Sequence, residues 1–161
     1  MMTYSKSERL LRLQDAVDTG HLYDYMTGQA GYSYVSNYAD APTETQDVFA
    51  SILDYVKNDE FNPLWENFEM TWITISKNKE YSWLAVYYLF GYLKYYSTKS
   101  GSIPQHATDT INQVLGNISK HKTTLSKDKR WVGRMYEDGL WQDVVRVVNN
   151  VNERFNLQMA I

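Results

Sequence analysis

Residues 80–97, EYSWLAVYYLFGYLKYYS, decide the fold. Trp83, Leu84, Val86, Tyr87, Tyr88, Leu89, Phe90, Tyr92 and Leu93 leave no continuous polar face at the helical period and no alternation at the strand period. A strand is excluded by length. The most apolar part, 81–93, holds four tyrosines and falls well short of the roughly 20 residues that cross a bilayer. The stretch therefore reads as the central helix of a bundle, covered by other helices on every side. Gly91 in its interior costs about 1 kcal/mol against alanine and marks a place where another helix comes close.

Outward from this helix, apolar positions keep the helical period. Asn62 and Pro63 form an N-cap and first-turn pair for a helix whose inward stripe is Phe61, Trp65, Phe68, Trp72 and Ile75, with Glu66 and Glu69 expected outside. Thr43 and Gln46 make a capping box for a helix to about residue 58, with Val48, Phe49, Ile52, Leu53 and Val56 on one face and Glu44, Asp47, Ser51, Asp54 and Asn58 on the other. A first helix over about 5–18 carries Leu10, Leu13 and Val17 and stops at Gly20. Downstream, Pro104 opens a helix through Ile111, Val114, Leu115 and Ile118, a short helix holds Trp131 and Met135, and residues 140–155 repeat Trp141, Val144, Val145, Val148, Val151 and Phe155 on one face.

Between Gly20 and Pro42 the period dissolves. This segment reads as one long loop with Tyr23, Tyr25, Tyr32, Tyr34 and Tyr38 among Gly, Ser, Asn and Asp, and loops of that length are usually functional. The fold class is all-α: a single domain over 1–161, built as a bundle of six to seven helices, with HEAT-like stacking of helix pairs as the alternative. Trp83, Phe90 and Trp141 are expected in its core.

Charge is sorted along the chain. Residues 13–75 hold Asp15, Asp18, Asp24, Asp40, Glu44, Asp47, Asp54, Asp59, Glu60, Glu66 and Glu69 against the single base Lys57. Residues 1–80 carry six Lys/Arg and thirteen Asp/Glu, whereas 81–161 carry ten and six, so the molecule is an electrical dipole. A one-sign surface repels itself, and its concentration here suggests attraction of a cationic partner. Asp15 and Asp18 even occupy the negative pole of the first helix, where carboxylates are unfavourable.

Chemistry-bearing motifs are missing from the sequence. His21, His106 and His121 fall on unrelated segments without metal-ligand spacing, and Glu66 with Glu69 lacks the Glu-x-x-His partners of a helical di-metal site. Gly28-Gln29-Ala30-Gly31 has no lysine and follows no strand, so it is no phosphate loop. No nucleophile elbow surrounds any serine. We therefore expect no enzyme activity, no cofactor and no metal. The absence of cysteine agrees with a reducing cytoplasm, and the N-terminus has neither the apolar run nor the cleavage site of a secretory signal. Lys94 to Arg134 is basic and interleaved with Tyr95, Tyr96 and Trp131, but the chain as a whole is acidic (pI ≈ 5.6), which disfavours nucleic acid as the partner.

Small, cysteine-free, acidic, helical and poor in motifs, the chain resembles in kind the immunity proteins of bacterial contact-dependent inhibition and other polymorphic-toxin systems. That resemblance implies binding of a cognate toxin domain, often a basic nuclease, with acidic groups standing where nucleic-acid phosphates would have bound. The alternative is a non-catalytic helical adaptor for an endogenous protein, ahead of an RNA-binding protein or a small enzyme. On either of the first two readings the contact surface is expected to combine stiff, amphipathic tyrosines with unpaired acids: Tyr32, Tyr34, Tyr38, Asp40, Glu44, Asp47, Asp54, Glu66 and Glu69.

Overall fold

The computed structural model describes residues 6–27, 63–128 and 139–161, and every regular element among them is helical. Helix α1 (Lys6–Thr19) ends at Gly20, whose φ of 75° is the left-handed conformation that glycine adopts without steric cost. Two backbone hydrogen bonds close that end, from Gly20 N to the Val17 carbonyl (3.3 Å) and from His21 N to the Ala16 carbonyl (2.8 Å), so the glycine stop expected from the sequence is a Schellman cap.

The chain does not enter a loop directly after Gly20. Leu22–Thr27 form a short helix, α2, in which Tyr25 and Met26 are buried. Six residues are too few to show a helical period, and tertiary contacts stabilise what propensity alone would not. Tyr88 donates its hydroxyl hydrogen bond to the Met26 carbonyl, and Asn78 Nδ2 donates to the Tyr23 hydroxyl at 3.2 Å, so both ends of α2 are tied to the body of the bundle.

Helix α3 (Pro63–Ser76) packs its Trp65, Phe68, Trp72 and Ile75 stripe inward as expected. Its partner α4 (Ser82–Tyr95), entered through a 3-10 turn at Lys79–Tyr81, is the central helix: every residue from Leu84 to Leu93 is buried. Aromatic rings join the two. Trp65 meets Tyr92 edge to face (5.7 Å), Phe68 meets Tyr88 likewise (6.1 Å), and Trp72 lies against Tyr92 at 5.2 Å while its indole N–H donates to the Ala85 carbonyl (3.1 Å). Such ring pairs add about 0.5–1.5 kcal/mol each beyond their burial. The helix then widens into a π turn at Tyr96–Ser100 and ends at Gly101, again with φ of 75°.

Helix α5 (Gln105–Ile118) starts directly after Pro104 and buries Ile111, Val114, Leu115 and Ile118. A short α6 (Lys122–Lys127) comes next, and α7 (Leu140–Phe155) closes the bundle with Leu140, Val144, Val148 and Val151 inside. Two expected core residues are less enclosed: Trp83 and Trp141 pack against the core from its edge, partly exposed, whereas Phe90 is buried. A tryptophan ring is too large to be swallowed by one helix face near a helix start, where fewer neighbours cover it.

Candidate functional site

Of the residues expected to bind a partner, Tyr32, Tyr34, Tyr38, Asp40, Glu44, Asp47 and Asp54 lie outside the described residues, as do the helix expected over 43–58 and the short helix around Trp131 and Met135. Glu66 is on the outer face of α3 as expected. Beside it, at i+4, Met70 is 60 % exposed, and on α1 Leu11, 70 % exposed, stands one turn before Asp15 and two before Asp18, both exposed. Between α1, α2 and α3 lies a depression of about 330 Å³ lined by Val17, Gly20, Leu22, Tyr23, Asn67 and Thr71. Its floor is apolar and aromatic, its α3 wall offers an amide and a hydroxyl, and none of these lining residues is charged.

The two tyrosines at the start of the expected loop are held against the bundle. Tyr25 is buried, and Tyr23 is held by Asn78 and by an edge-to-face contact with Tyr81 at 6.1 Å. Tyr23 thereby ties α2 to the 3-10 turn before α4.

Glu69 corrects the sequence reading outright. The expectation puts it on the solvated face with Glu66, and it is 5 % exposed. The cause is register: Glu69 stands four residues after Trp65 and three before Trp72, on the stripe that packs inward. Three helices converge on its carboxylate. Oε2 accepts a hydrogen bond from the Tyr92 hydroxyl of α4 and faces Nδ1 of His106, in the first turn of α5, at 3.8 Å. Thr110, one turn further along α5, donates its hydroxyl to the His106 carbonyl at 3.0 Å.

Burial raises the Glu69 carboxyl above its ordinary value, and the Tyr92 hydrogen bond and the attraction of His106 oppose that rise without cancelling it. Tyr92 is pushed well above the ordinary phenol value, first by burial and then by the neighbouring carboxylate, so it stays a donor. His106, an isolated histidine by sequence, is the member that sequence reasoning misses. The signal available is the inward register of Glu69, since a carboxylate in a core requires a partner.

Chemically, this cluster sets a carboxyl, a phenol and an imidazole against one another at one buried point. Among the described residues no group of three or more His, Cys, Asp or Glu is placed to hold a metal ion. No described helix is long and apolar enough to cross a membrane. In comparisons with known proteins, the chain matches no family model, no curated protein and no solved structure.

Proposed function

We propose that this chain is a non-catalytic binding protein that captures a cationic protein domain, acting as an immunity protein that neutralises a cognate toxin of nuclease type. The observation that carries the reading is the pairing of exposed acids with exposed large apolar side chains on neighbouring helices: Asp15 and Asp18 with Leu11 on α1, Glu66 with Met70 on α3. Apolar contacts supply affinity at the centre of an interface, and surrounding charge of one sign selects partners of the other and speeds their encounter. Methionine adapts its shape to what it meets, which suits a contact residue better than a surface filler. A basic nuclease domain presents the cationic surface such a face would attract.

The test begins with recovery of the partner by affinity capture from the native host, then measures association and dissociation kinetics. Replacing Asp15, Asp18 and Glu66 together by lysine is expected to slow association at least tenfold while the circular dichroism spectrum stays helical. Wild-type association is expected to slow as salt rises, because the Debye length contracts from about 10 Å at 0.1 M to about 3 Å at 1 M. Salt-independent binding by an unaffected triple variant would remove this face from the mechanism. Capture of a metabolic enzyme with no antibacterial activity would favour the adaptor reading instead.

A further inference from the structure

Three helices meet at one buried carboxylate, whose protonation removes a negative charge from the aromatic core. Among the described residues, the ionisable groups facing Glu69 are Tyr92 from α4 and His106 from α5, with Tyr96 stacked behind Tyr92 at 5.2 Å. On α3 itself Glu66 points away to solvent, and on α5 Asp109 is exposed and engaged by Gln105 Nε2 at 2.9 Å. Lys94 of α4 is exposed. No lysine or arginine among the described residues forms an ion pair with Glu69; the group opposite it is the imidazole of His106, 3.8 Å away.

We propose that Glu69, Tyr92 and His106 form a proton-operated clamp between α3, α4 and α5, which tightens when Glu69 takes up a proton and loosens when it gives that proton up. A proton on Glu69 removes the buried charge. Tyr92 donates to the Glu69 carboxyl in both states and holds its orientation.

Burial makes the folded chain bind the Glu69 proton more tightly than the unfolded chain does. The resulting stabilisation is fully present below the unfolded glutamate value and is lost as pH rises through the folded one. Most carboxylates that find partners in folded proteins act the other way, losing stability in acid. The clamp therefore opposes ordinary acid unfolding at the junction that orients α3. It stands independently of any partner.

Carbon-13 NMR of the Glu69 side-chain carboxyl in the intact wild-type chain, titrated from pH 4 to 8, reads the cluster directly. The expected midpoint lies above the ordinary glutamate value, and His106→Gln moves it further up by removing the attraction. Chemical denaturation over the same range gives the second reading. Wild type is expected to lose stability relative to Glu69→Gln as pH rises, by about tenfold in the folding constant for each unit that Glu69 is displaced. Glu69→Gln keeps an acceptor for Tyr92 and cannot titrate, so its stability at pH 7 should exceed that of wild type, with the gap closing toward pH 4. An ordinary Glu69 midpoint, or wild-type and Glu69→Gln curves that run parallel, overturns the clamp. Should Glu69→Gln not fold, the wild-type and His106→Gln titrations still decide it.

Discussion

A carboxylate inside an aromatic cluster persists only while something donates to it, and at Glu69 that donor is the Tyr92 hydroxyl. Tyr92→Phe keeps the ring contacts and deletes the donor. Its expected cost is about 1.5–3 kcal/mol at neutral pH, the range for hydrogen bonds to charged groups. Because that bond also lowers the Glu69 carboxyl, the variant should titrate at still higher pH, and the penalty should shrink in acid; urea unfolding at pH 7 and pH 4.5 measures both. The burial of Glu69 is legible in the sequence, since it shares the register of Trp65 and Trp72, and an expectation based on residue type rather than position misses it. Its meeting with His106 is not legible, because two turns of connecting chain and a whole helix separate them and no local pattern encodes how α5 docks on α3. The same holds for Asn152, whose side chain accepts from Met159 N (2.9 Å) and donates to the Met159 carbonyl (3.0 Å), strapping the C-terminal residues back onto the bundle. Asn152→Ala should cost about 1–3 kcal/mol through the two lost bonds, measured as a lower denaturation midpoint.

At the scale of elements, the long periodic helices are the ones written plainly in the sequence. The valine stripe predicts a helix over 140–155, and α7 spans Leu140–Phe155; the Pro104 start and the Gly20 stop also stand. Short elements escape for a physical reason. The six residues of α2 and of α6 are too few for periodicity, and their existence depends on partners distant in sequence. Gly139 shows such a dependence at atomic scale. It precedes α7 with an ordinary negative φ, so no conformational strain demands glycine there. Space demands it: a Cβ at this position would lie 1.9 Å from the Ser126 carbonyl oxygen and 2.3 Å from its carbon. Both are backbone atoms, and a side-chain rotation cannot relieve the clash. Gly139→Ala must therefore push the end of α6 away from the start of α7 and break the bond from Leu140 N to the Asp128 carbonyl (3.0 Å). A loss of at least about 2–3 kcal/mol is expected, the size of an overpacked core site, with calorimetry as the readout.

Across the whole molecule, the dipole rule is obeyed at one place and broken at another. Lys77 and Lys120 lie just past the C-terminal ends of α3 and α5, beside Asn117 and His121, where positive charge complements the exposed carbonyls. His121 Nε2 donates to the Lys77 carbonyl at 3.1 Å and Asn117 Nδ2 to Ser76 Oγ at 2.9 Å, so the basic end is built from two helices held in register. The C-terminal turn of α1 has no basic residue and carries exposed Asp18, whose carboxylate accepts from Gln14 one turn back (2.9 Å). If that charge exists for folding, its reversal should harm the fold; if it exists for a partner, reversal should help the fold and harm binding. Asp18→Lys exchanges an unfavourable charge at the negative pole for a favourable one, and the expected gain is about 0.3–1 kcal/mol at low salt, fading as salt screens the dipole. Partner association should slow in the same variant, since a cation now stands on the face that attracts cations. A chain made more stable and less able to bind by one substitution has a charge placed for recognition. A variant that gains stability and binds as tightly as wild type shows instead that Asp18 is only a solvated misfit, and it shifts the search for the contact surface toward Glu66 and Met70.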